Sequence, residues 1–326
     1  MKKEYVADLS ALCGAERFTF SEGKAKGIDA VRLYNGKLDL TVILDRCMDI
    51  FRLFYRGISV SYISKNGLVS PHLTGSEAYP FFSSFDAGFM YTCGLDNIGE
   101  PEIKDGRILP RHGSISYLPA ENVRVETEEF NGEYGLSLKG CMKFTALFGQ
   151  KLLLKREIRL WYLKDELEIR DEIINEGYTE EGYLLMYHTN IGYPVLDENA
   201  VLFVASKATH GISEIYDCSH FQTFESPSAG RAEEVYRHDL KSGKGAKAIL
   251  KNKNFSLGFY FDAKDFPYML EWKSMACGDY VLGLEPVTTP MPEKIFRILK
   301  PGQVDKYSLI WKFSEEVKNL LMGMSL

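Results

Sequence analysis

Long apolar runs, basic stretches and a signal-peptide-like start are all missing from this chain. No segment of the 326 residues approaches the roughly 18 apolar residues that a membrane-spanning helix needs. The opening "MKKEYVADLSALCG" has no apolar core of the kind found in secretory signals. The 39 Lys and Arg residues are scattered among 45 Asp and Glu residues, and the formal net charge is -6, so no basic surface for nucleic acid is expected. The sequence therefore predicts a soluble cytoplasmic protein that binds neither membranes nor nucleic acid.

Cysteine motifs and nucleotide-binding motifs are also absent. The six cysteines are far apart and none forms a C-x-x-C pair, so the sequence contains no zinc-ribbon or redox motif. We expect them to be reduced and mostly buried. Cys218 and His220 could begin a metal site, but nothing nearby completes it, and an ordinary loop pair is the simpler interpretation. Because there is no G-x-G-x-x-G or Walker loop, the common nucleotide-binding folds are excluded and no cofactor is predicted.

Alternation of apolar and polar residues is abundant. The stretches "KLDLTVIL" (37–44), "ENVRVE" (121–126) and "DELEIRDEI" (165–173) place apolar side chains at every second position, as in strands with one solvated face. Turn signals such as "YNGK" (34–37) separate the strands and favour antiparallel sheets. The chain has no repeat of fixed period and no low-complexity linker. We therefore predict one large β-sandwich-like domain over residues 1–326.

Two segments depart from the strand pattern. The stretch "SEEVKNLLMGM" (314–324) is predicted to form an amphipathic helix that packs on a sheet, with Ser314 as its N-cap. Its apolar stripe consists of Val317, Leu320, Leu321 and Met324. The lysine-rich and glycine-rich stretch 238–254 is predicted to be a solvated loop or hairpin.

Three polar side chains have positions that invite a functional interpretation. His112 follows Pro110 closely and precedes Gly113, so its imidazole should be presented from a tight turn. His188 and Glu285 each occur in an apolar strand, where a buried imidazole needs a hydrogen-bond partner and a buried carboxylate needs a counter-charge or solvent. Each position alone also admits a structural interpretation: a surface histidine, a hydrogen-bonded core histidine and an ion pair with an arginine.

Two kinds of chemistry would use these three residues together. One is metal-free proton transfer, in which the carboxylate removes a proton from one oxygen while an imidazolium donates a proton to another. The other is metal binding, because two histidines and one carboxylate can form a facial triad. The histidines are far apart in sequence, unlike the H-x-H or H-x-x-x-H pairs of many metal sites, which makes metal binding the weaker hypothesis.

Five motifs spread over most of the chain contain or surround these residues. They are "ILDRCMDI" (43–50), "GFMYTCGLDNIGEP" (88–101), "LPRHGSIS" (109–116), "YHTNIGYPVL" (187–196) and "YVLGLEP" (280–286). In this order the motifs resemble the aldose 1-epimerase, or galactose mutarotase-like, superfamily, and more specifically its domain-of-unknown-function 4432 branch. The resemblance implies a mainly β fold, a β-supersandwich of large antiparallel sheets with few short helices, and a sugar-binding cleft.

The resemblance also implies a role for each of the three residues. Glu285 would be the general base on the C1 hydroxyl, His188 would protonate the ring oxygen, and His112 would stabilise the polarised sugar. The predicted function is therefore that of a cofactor-free, metal-free aldose 1-epimerase acting on a monosaccharide. A non-catalytic carbohydrate-binding protein on the same fold and a metal-dependent sugar isomerase or lyase with these three ligands are the alternatives. A homodimer is left open.

Three further residues are predicted to bind the substrate. Arg46 would bind sugar hydroxyls, with an ion pair to Asp45 or Asp49 as the structural alternative. Asn190 lies two residues after the second histidine, so on a strand it faces the same side and either donates to a hydroxyl or fixes a loop. Trp272 would stack on a pyranose face, unless it is an ordinary core residue.

Overall fold

The computed structural model describes residues 2–74, 81–104, 106–212 and 218–315. Its strands, numbered along the chain, are β1 (Gly14–Thr19), β2 (Asp29–Tyr34), β3 (Leu38–Ile43), β4 (Asp49–Tyr55), β5 (Ile58–Ser59), β6 (Tyr62–Ile63), β7 (Ala87–Gly88), β8 (Met90–Gly94), β9 (Glu102–Lys104), β10 (Arg107–Leu109), β11 (Glu121–Phe130), β12 (Glu133–Thr145), β13 (Lys151–Trp161), β14 (Glu166–Asn175), β15 (Glu181–Tyr183), β16 (Leu185–Ile191), β17 (Val201–Val204), β18 (Ser206–Gly211), β19 (Glu234–Leu240), β20 (Ala246–Lys251), β21 (Ser256–Tyr260), β22 (Tyr268–Ala276), β23 (Asp279–Val287), β24 (Arg297–Leu299) and β25 (Val304–Ser314).

Helical structure within these ranges is limited to short pieces. The α-helices are α1 (Pro71–Thr74) and α2 (Phe81–Ser84), and 3-10 turns are formed by Lys3–Tyr5, Leu9–Ala11, Gly23–Ala25, Ile115–Tyr117 and Cys218–His220. No helix in the described part of the chain has the length and apolar character needed to cross a membrane.

Two large antiparallel sheets account for most of the strands. The larger sheet has the order β1-β2-β3-β4-β8-β16-β23-β22-β19-β18, with β5 added beside β4. The smaller sheet has the order β11-β12-β13-β14-β25-β21-β20-β17. Both sheets contribute side chains to one apolar core, in which Leu40, Tyr187 and Leu284 of the larger sheet join Leu154 and Ile169 of the smaller one. The predicted mainly β fold of large antiparallel sheets with few short helices is confirmed.

The three quoted alternating stretches all form strands. On β3, Leu38, Leu40 and Val42 are buried, as the alternation predicts. On β14 the predicted apolar face is fully buried, because this strand lies in the middle of its sheet. The "ENVRVE" stretch begins β11, and its Val125 is exposed because β11 is the edge strand of the smaller sheet.

The prediction of a solvated loop or hairpin over 238–254 is confirmed for the exposed residues 241–244 and for the turn that joins the paired strands β20 and β21, but it was wrong for β20 itself, which is buried. The stretch begins with the end of β19 and contains β20, whose residues Ala246 to Leu250 are buried. Even Lys247 is buried, and its ammonium donates to the backbone carbonyls of Lys241 and Gly243 at 3.2 and 2.6 Å. The many lysines favoured an exposed loop. A buried ammonium can, however, donate to carbonyl oxygens, so a lysine does not exclude a buried strand.

The predicted C-terminal helix lies outside the described residues, since the description ends at residue 315. Its expected N-cap, Ser314, is the last residue of strand β25. None of the six cysteines, all of which lie in the described ranges, forms a disulfide: Cys13, Cys47 and Cys93 are buried, Cys141 and Cys218 are partly buried, and Cys277 is exposed.

Candidate functional site

His188 and Glu285 lie side by side on neighbouring strands in the middle of the larger sheet. Tyr187 on β16 and Leu284 on β23 face the core between the sheets, so the residues that follow them face the opposite side. His188 Nε2 lies 3.0 Å from Glu285 Oε1. Both side chains are almost completely buried, with exposed fractions of 6% and 4%. An imidazole and a carboxylate thus lie within ion-pair distance of each other on the outer face of the sheet.

Gly283 forms the floor beneath this pair. It lies opposite Asn190 on β16 and opposite Trp272 on β22. A Cβ atom at this position would be 3.0 Å from both Glu285 Oε1 and His188 Cε1. Because real Cβ atoms rarely approach so closely, glycine is what allows the imidazole and the carboxylate to meet here.

His112 reaches the pair from a turn that precedes the 3-10 turn Ile115–Tyr117. Its backbone is in the left-handed region with φ of 59°, and both of its backbone polar groups are bonded. The His112 N–H donates to the Gly99 carbonyl at 3.0 Å, and its carbonyl accepts from the Gly94 N–H at 2.8 Å. The His112 ring is 5.9 Å from the His188 ring, with the two planes perpendicular. The structure therefore brings the three sequence-predicted residues together.

The protonation state of His112 follows from its surroundings. Burial lowers its pKa well below the ordinary 6.5, and the nearby His188, Arg111 and Lys294 act in the same direction. The Gly99 N–H points at His112 Nδ1 across 3.4 Å, so Nδ1 is the acceptor and the single proton belongs on Nε2. His112 is thus a neutral imidazole with an Nε2–H donor.

His188 retains one ring nitrogen without a partner. Its Nε2 lies 3.0 Å from Glu285 Oε1, whereas its buried Nδ1 has no hydrogen-bond partner within the described part of the chain. A buried polar atom without a partner is uncommon and marks a position where a ligand or water can supply the missing bond.

Aromatic rings surround the two histidines. Phe81 packs against His112 at 5.2 Å, and Phe85 packs against His188 at 5.5 Å. Trp272 also contacts His188 at 5.5 Å, next to Phe85, and its Nε1–H donates to Glu233 at 2.7 Å. The predicted substrate-binding residue Trp272 therefore borders the site and is partly exposed. Such walls suit the apolar faces of a sugar ring.

Arg46 lies near the site but is held by the protein itself. Its Nε donates to the Val69 carbonyl at 2.9 Å, and its guanidinium lies 5.9 Å from the ring of Tyr91, the residue opposite His188 on β8. Its carboxylate neighbour is Asp86, at 4.0 Å from Nη1. The ion-pair partners considered from sequence are engaged elsewhere: Asp45 accepts from the Asp29 N–H, and Asp49 binds Thr92 and Arg156. Arg46 Nη1 is buried without a hydrogen bond in the described chain.

Asn190 is fully buried on the same face of β16 as His188. Its Nδ2 donates to the carbonyls of Ala87 and His188, each at 3.1 Å. In this structure the side chain fixes β7 against β16, which is the structural alternative considered for it. A direct bond to substrate remains a prediction.

Behind the pair, sequence reasoning missed a buried ionic network between the two sheets. Arg156 on β13 binds Asp171 on β14 at 2.6 Å and Asp49 on β4 at 3.1 Å. Tyr187, the neighbour of His188 on β16, donates to Asp171 at 2.6 Å, and the Thr92 hydroxyl donates to Asp49 at 2.6 Å. This network fixes the strand that carries His188 from its inner side.

One surface depression, of about 840 Å³, is bordered by strands of the smaller sheet, and its arginines are already paired: Arg159 with Glu128 and Glu168, and Arg170 with Glu168. Among the described residues, no group of three or more His, Cys, Asp and Glu side chains is arranged to hold a metal ion.

Comparison with known proteins gives the same fold. Residues 25–298 match the family model "Domain of unknown function (DUF4432)". A Klebsiella pneumoniae structure described as that of a candidate aldose 1-epimerase superposes with a TM-score of 0.87 at 20% identity, over 98% of this chain and 91% of that one. A galactose mutarotase-like protein from Clostridium acetobutylicum gives 0.67 at 13% identity, over 94% and 100%. Galactose 1-epimerase from Lactobacillus acidophilus gives 0.59 at 12% identity, over 93% and 99%. No curated protein matches the chain significantly.

Proposed function

Because this chain belongs to the DUF4432 family, whose model matches most of its length, we propose that it is a cofactor-free aldose 1-epimerase that interconverts the α and β anomers of a monosaccharide. The observation that carries the proposal is the 3.0 Å contact between His188 Nε2 and Glu285 Oε1, with the His112 ring 5.9 Å from His188. An acid and a base in contact on one face are what ring opening of a hemiacetal requires. Two of the structural neighbours, a galactose mutarotase-like protein and galactose 1-epimerase, have names that agree with this chemistry.

The reaction moves one proton at each end of the hemiacetal. Glu285 takes the proton of the C1 hydroxyl, the bond from C1 to the ring oxygen breaks, and protonated His188 gives its proton to that oxygen. Rotation about the bond between C1 and C2 turns the aldehyde over. On closure His188 takes the proton back from the attacking hydroxyl and Glu285 returns its own proton to the C1 oxygen, so that both groups end as they began.

The neutral His112 contributes a hydrogen bond to the sugar without a change of charge. With its proton on Nε2, it can donate to an oxygen whose negative charge increases during ring opening. Positioned acid and base groups typically each contribute about 10²- to 10⁴-fold to such a rate. The aromatic rings of Phe85 and Trp272 keep water away from His188.

The test is one-dimensional saturation-transfer NMR of anomeric protons across a panel of aldoses, sugar acids and ketoses. We expect the wild-type protein to accelerate exchange for one class of sugar, and Glu285→Gln to reduce that acceleration by at least about 100-fold. The matched control is Glu271→Gln. Glu271 lies on the neighbouring strand β22 and also pairs with a histidine, His238, at 2.9 Å, but it faces the core.

Three outcomes would overturn the proposal. Unchanged exchange in folded Glu285→Gln would remove the carboxylate from the chemistry. Sugar binding without accelerated exchange for any sugar would indicate a carbohydrate-binding protein. A stoichiometric transition metal in the purified protein, bound to His112, His188 and Glu285, would replace proton transfer by metal chemistry.

A further inference from the structure

Asn97 joins the two loops that hold His112. It is buried in the segment after β8, and its Nδ2 donates to the carbonyls of Pro110 and Glu100 at 2.8 and 2.9 Å. The residues next to these two carbonyls also contact each other: the His112 N–H donates to the Gly99 carbonyl, and the Gly99 N–H approaches His112 Nδ1. One amide side chain therefore holds both the turn that carries His112 and the loop that contacts its imidazole.

Lys294 reaches the same amide from the other side of the site. Its ammonium donates to Asn97 Oδ1 at 2.6 Å and also pairs with Glu102. Lys294 lies in the loop that follows β23, the strand of Glu285. Buried Thr289 folds this loop back, because its hydroxyl oxygen accepts from the Ile295 N–H at 2.6 Å. The lysine thereby connects the loop after the general base to the loop of His112.

Charges close to His112 come from three elements. His188, paired with Glu285, approaches from β16 and β23. Arg111 is the preceding residue and pairs with Glu100, while Lys294 pairs with Glu102. The two partner carboxylates are the more exposed members of these pairs, so the cations are the charges nearer the protein interior. Protonation of the His112 ring, which would add a further positive charge beside Arg111 and Lys294, is therefore disfavoured.

We propose that Asn97 and Lys294 are positioning residues, which hold the His112 imidazole at a fixed place relative to Glu285 and keep its proton on Nε2. The inference rests on the proposed role of His112 as a neutral hydrogen-bond donor. The hydrogen bonds of Asn97 and Lys294 go to the loops around His112 and not to His188 or Glu285, so both residues act through the His112 turn.

The test reads the imidazole itself by long-range ¹H–¹⁵N NMR of the histidine side chains, with the His112 signals assigned by His112→Asn. In wild type we expect the Nε2–H tautomer and titration well below pH 6.5. Lys294→Met removes a positive charge, so the His112 pKa rises toward its ordinary value, whereas Lys294→Arg keeps the charge and restores a low pKa. Asn97→Ala releases both loops, so the tautomer becomes mixed and kcat for anomer exchange falls about 10- to 100-fold.

Lys247→Met is the matched control. Lys247, on β20, is a buried lysine whose ammonium donates to two backbone carbonyls of the loop after β19. The Lys247→Met variant should leave the His112 signals unchanged, even if it lowers the melting temperature as much as Lys294→Met does.

Unchanged tautomer and titration of His112 in folded Lys294→Met would overturn the inference, and this variant decides the matter if Asn97→Ala fails to fold. The readout does not depend on catalysis. If the variants alter the His112 signals but the wild-type protein accelerates anomer exchange of no sugar, the positioning roles are supported and the proposed function is refuted.

Discussion

Replacing Gly283 with alanine would add one methyl group where His188, Glu285 and Trp272 meet. The new Cβ would lie 3.0 Å from Glu285 Oε1 and from His188 Cε1, and 3.1 Å from Trp272 Cβ. Carbon atoms in contact prefer about 3.5–4.0 Å, so the neighbours must retreat by roughly 0.5 Å. Trp272 Cβ is fixed to the backbone of β22, which pairs with β23 along its length, so the movement falls on the imidazole and the carboxylate.

The size of the effect follows from the contact that is disturbed. A shift of roughly 0.5 Å changes the position of the imidazole relative to the carboxylate, which lie 3.0 Å apart. Misplacement on the order of 1 Å can cost about 100-fold in rate, so we expect kcat for anomer exchange to fall about 10- to 100-fold. Overpacking should also lower the free energy of unfolding by about 1–3 kcal/mol.

The assay combines saturation-transfer NMR with urea unfolding of the same sample. Gly182→Ala is the control, because Gly182 is also a strand glycine, on β15, and its added Cβ would meet only side-chain atoms of Ile298 and Phe296 at 3.3 Å or more. We expect this variant to keep the wild-type exchange rate. A folded Gly283→Ala protein with wild-type kcat would refute the claim that the geometry of the pair governs the reaction.

Two further predictions concern stability. Burial holds the folded-state pKa of His112 below 6.5, so below that pH the unfolded chain binds a proton that the folded protein does not, and stability falls as the pH falls. Urea unfolding between pH 7 and 5 should therefore show a steeper loss for wild type than for His112→Asn, and parallel curves would contradict the assignment. Arg156→Met leaves Asp171 without its cation and should cost about 3–5 kcal/mol by urea unfolding. Lys312→Met, which removes a more exposed pair with Glu166, should cost less than about 1 kcal/mol, and equal losses would show that the buried network does not stabilise the fold.

The strands were predictable from sequence because their signal is local. Apolar residues recur at every second position of β3 and, apart from Asp171, from Leu167 to Ile173 of β14, and this alternation is enough to recognise a half-buried strand. Which strands lie side by side is not local. The strand of His188 pairs with β8 and β23, whose residues are separated from it by about a hundred positions in each direction, so the 3.0 Å contact with Glu285 depends on a register that no single stretch encodes.

One missed element did leave a signal. On β13, Arg156 occupies the apolar register between Leu154 and Ile158, and on β14 Asp171 occupies the apolar register between Ile169 and Ile173. A charge on the buried face of a strand requires a counter-charge, and two opposite charges on consecutive strands predict each other. The lysine bond to Asn97, in contrast, joins two irregular loops and has no periodic pattern from which it could be predicted.

The larger sheet contains two histidine–glutamate pairs, and the comparison shows that contact alone does not make a site. His238 and Glu271 are 2.9 Å apart and fully buried, so their separation and burial are close to those of His188 and Glu285. His238, however, uses both ring nitrogens, because Thr209 takes the other at 3.0 Å, and the pair faces the core between the sheets. His188 keeps one nitrogen without a protein partner in the described chain, and its pair faces outward beside His112. Since strand alternation alone decides which face a side chain takes, a shift of one residue in β23 would turn Glu285 toward the core, and a shift of one residue in β22 would turn Glu271 outward.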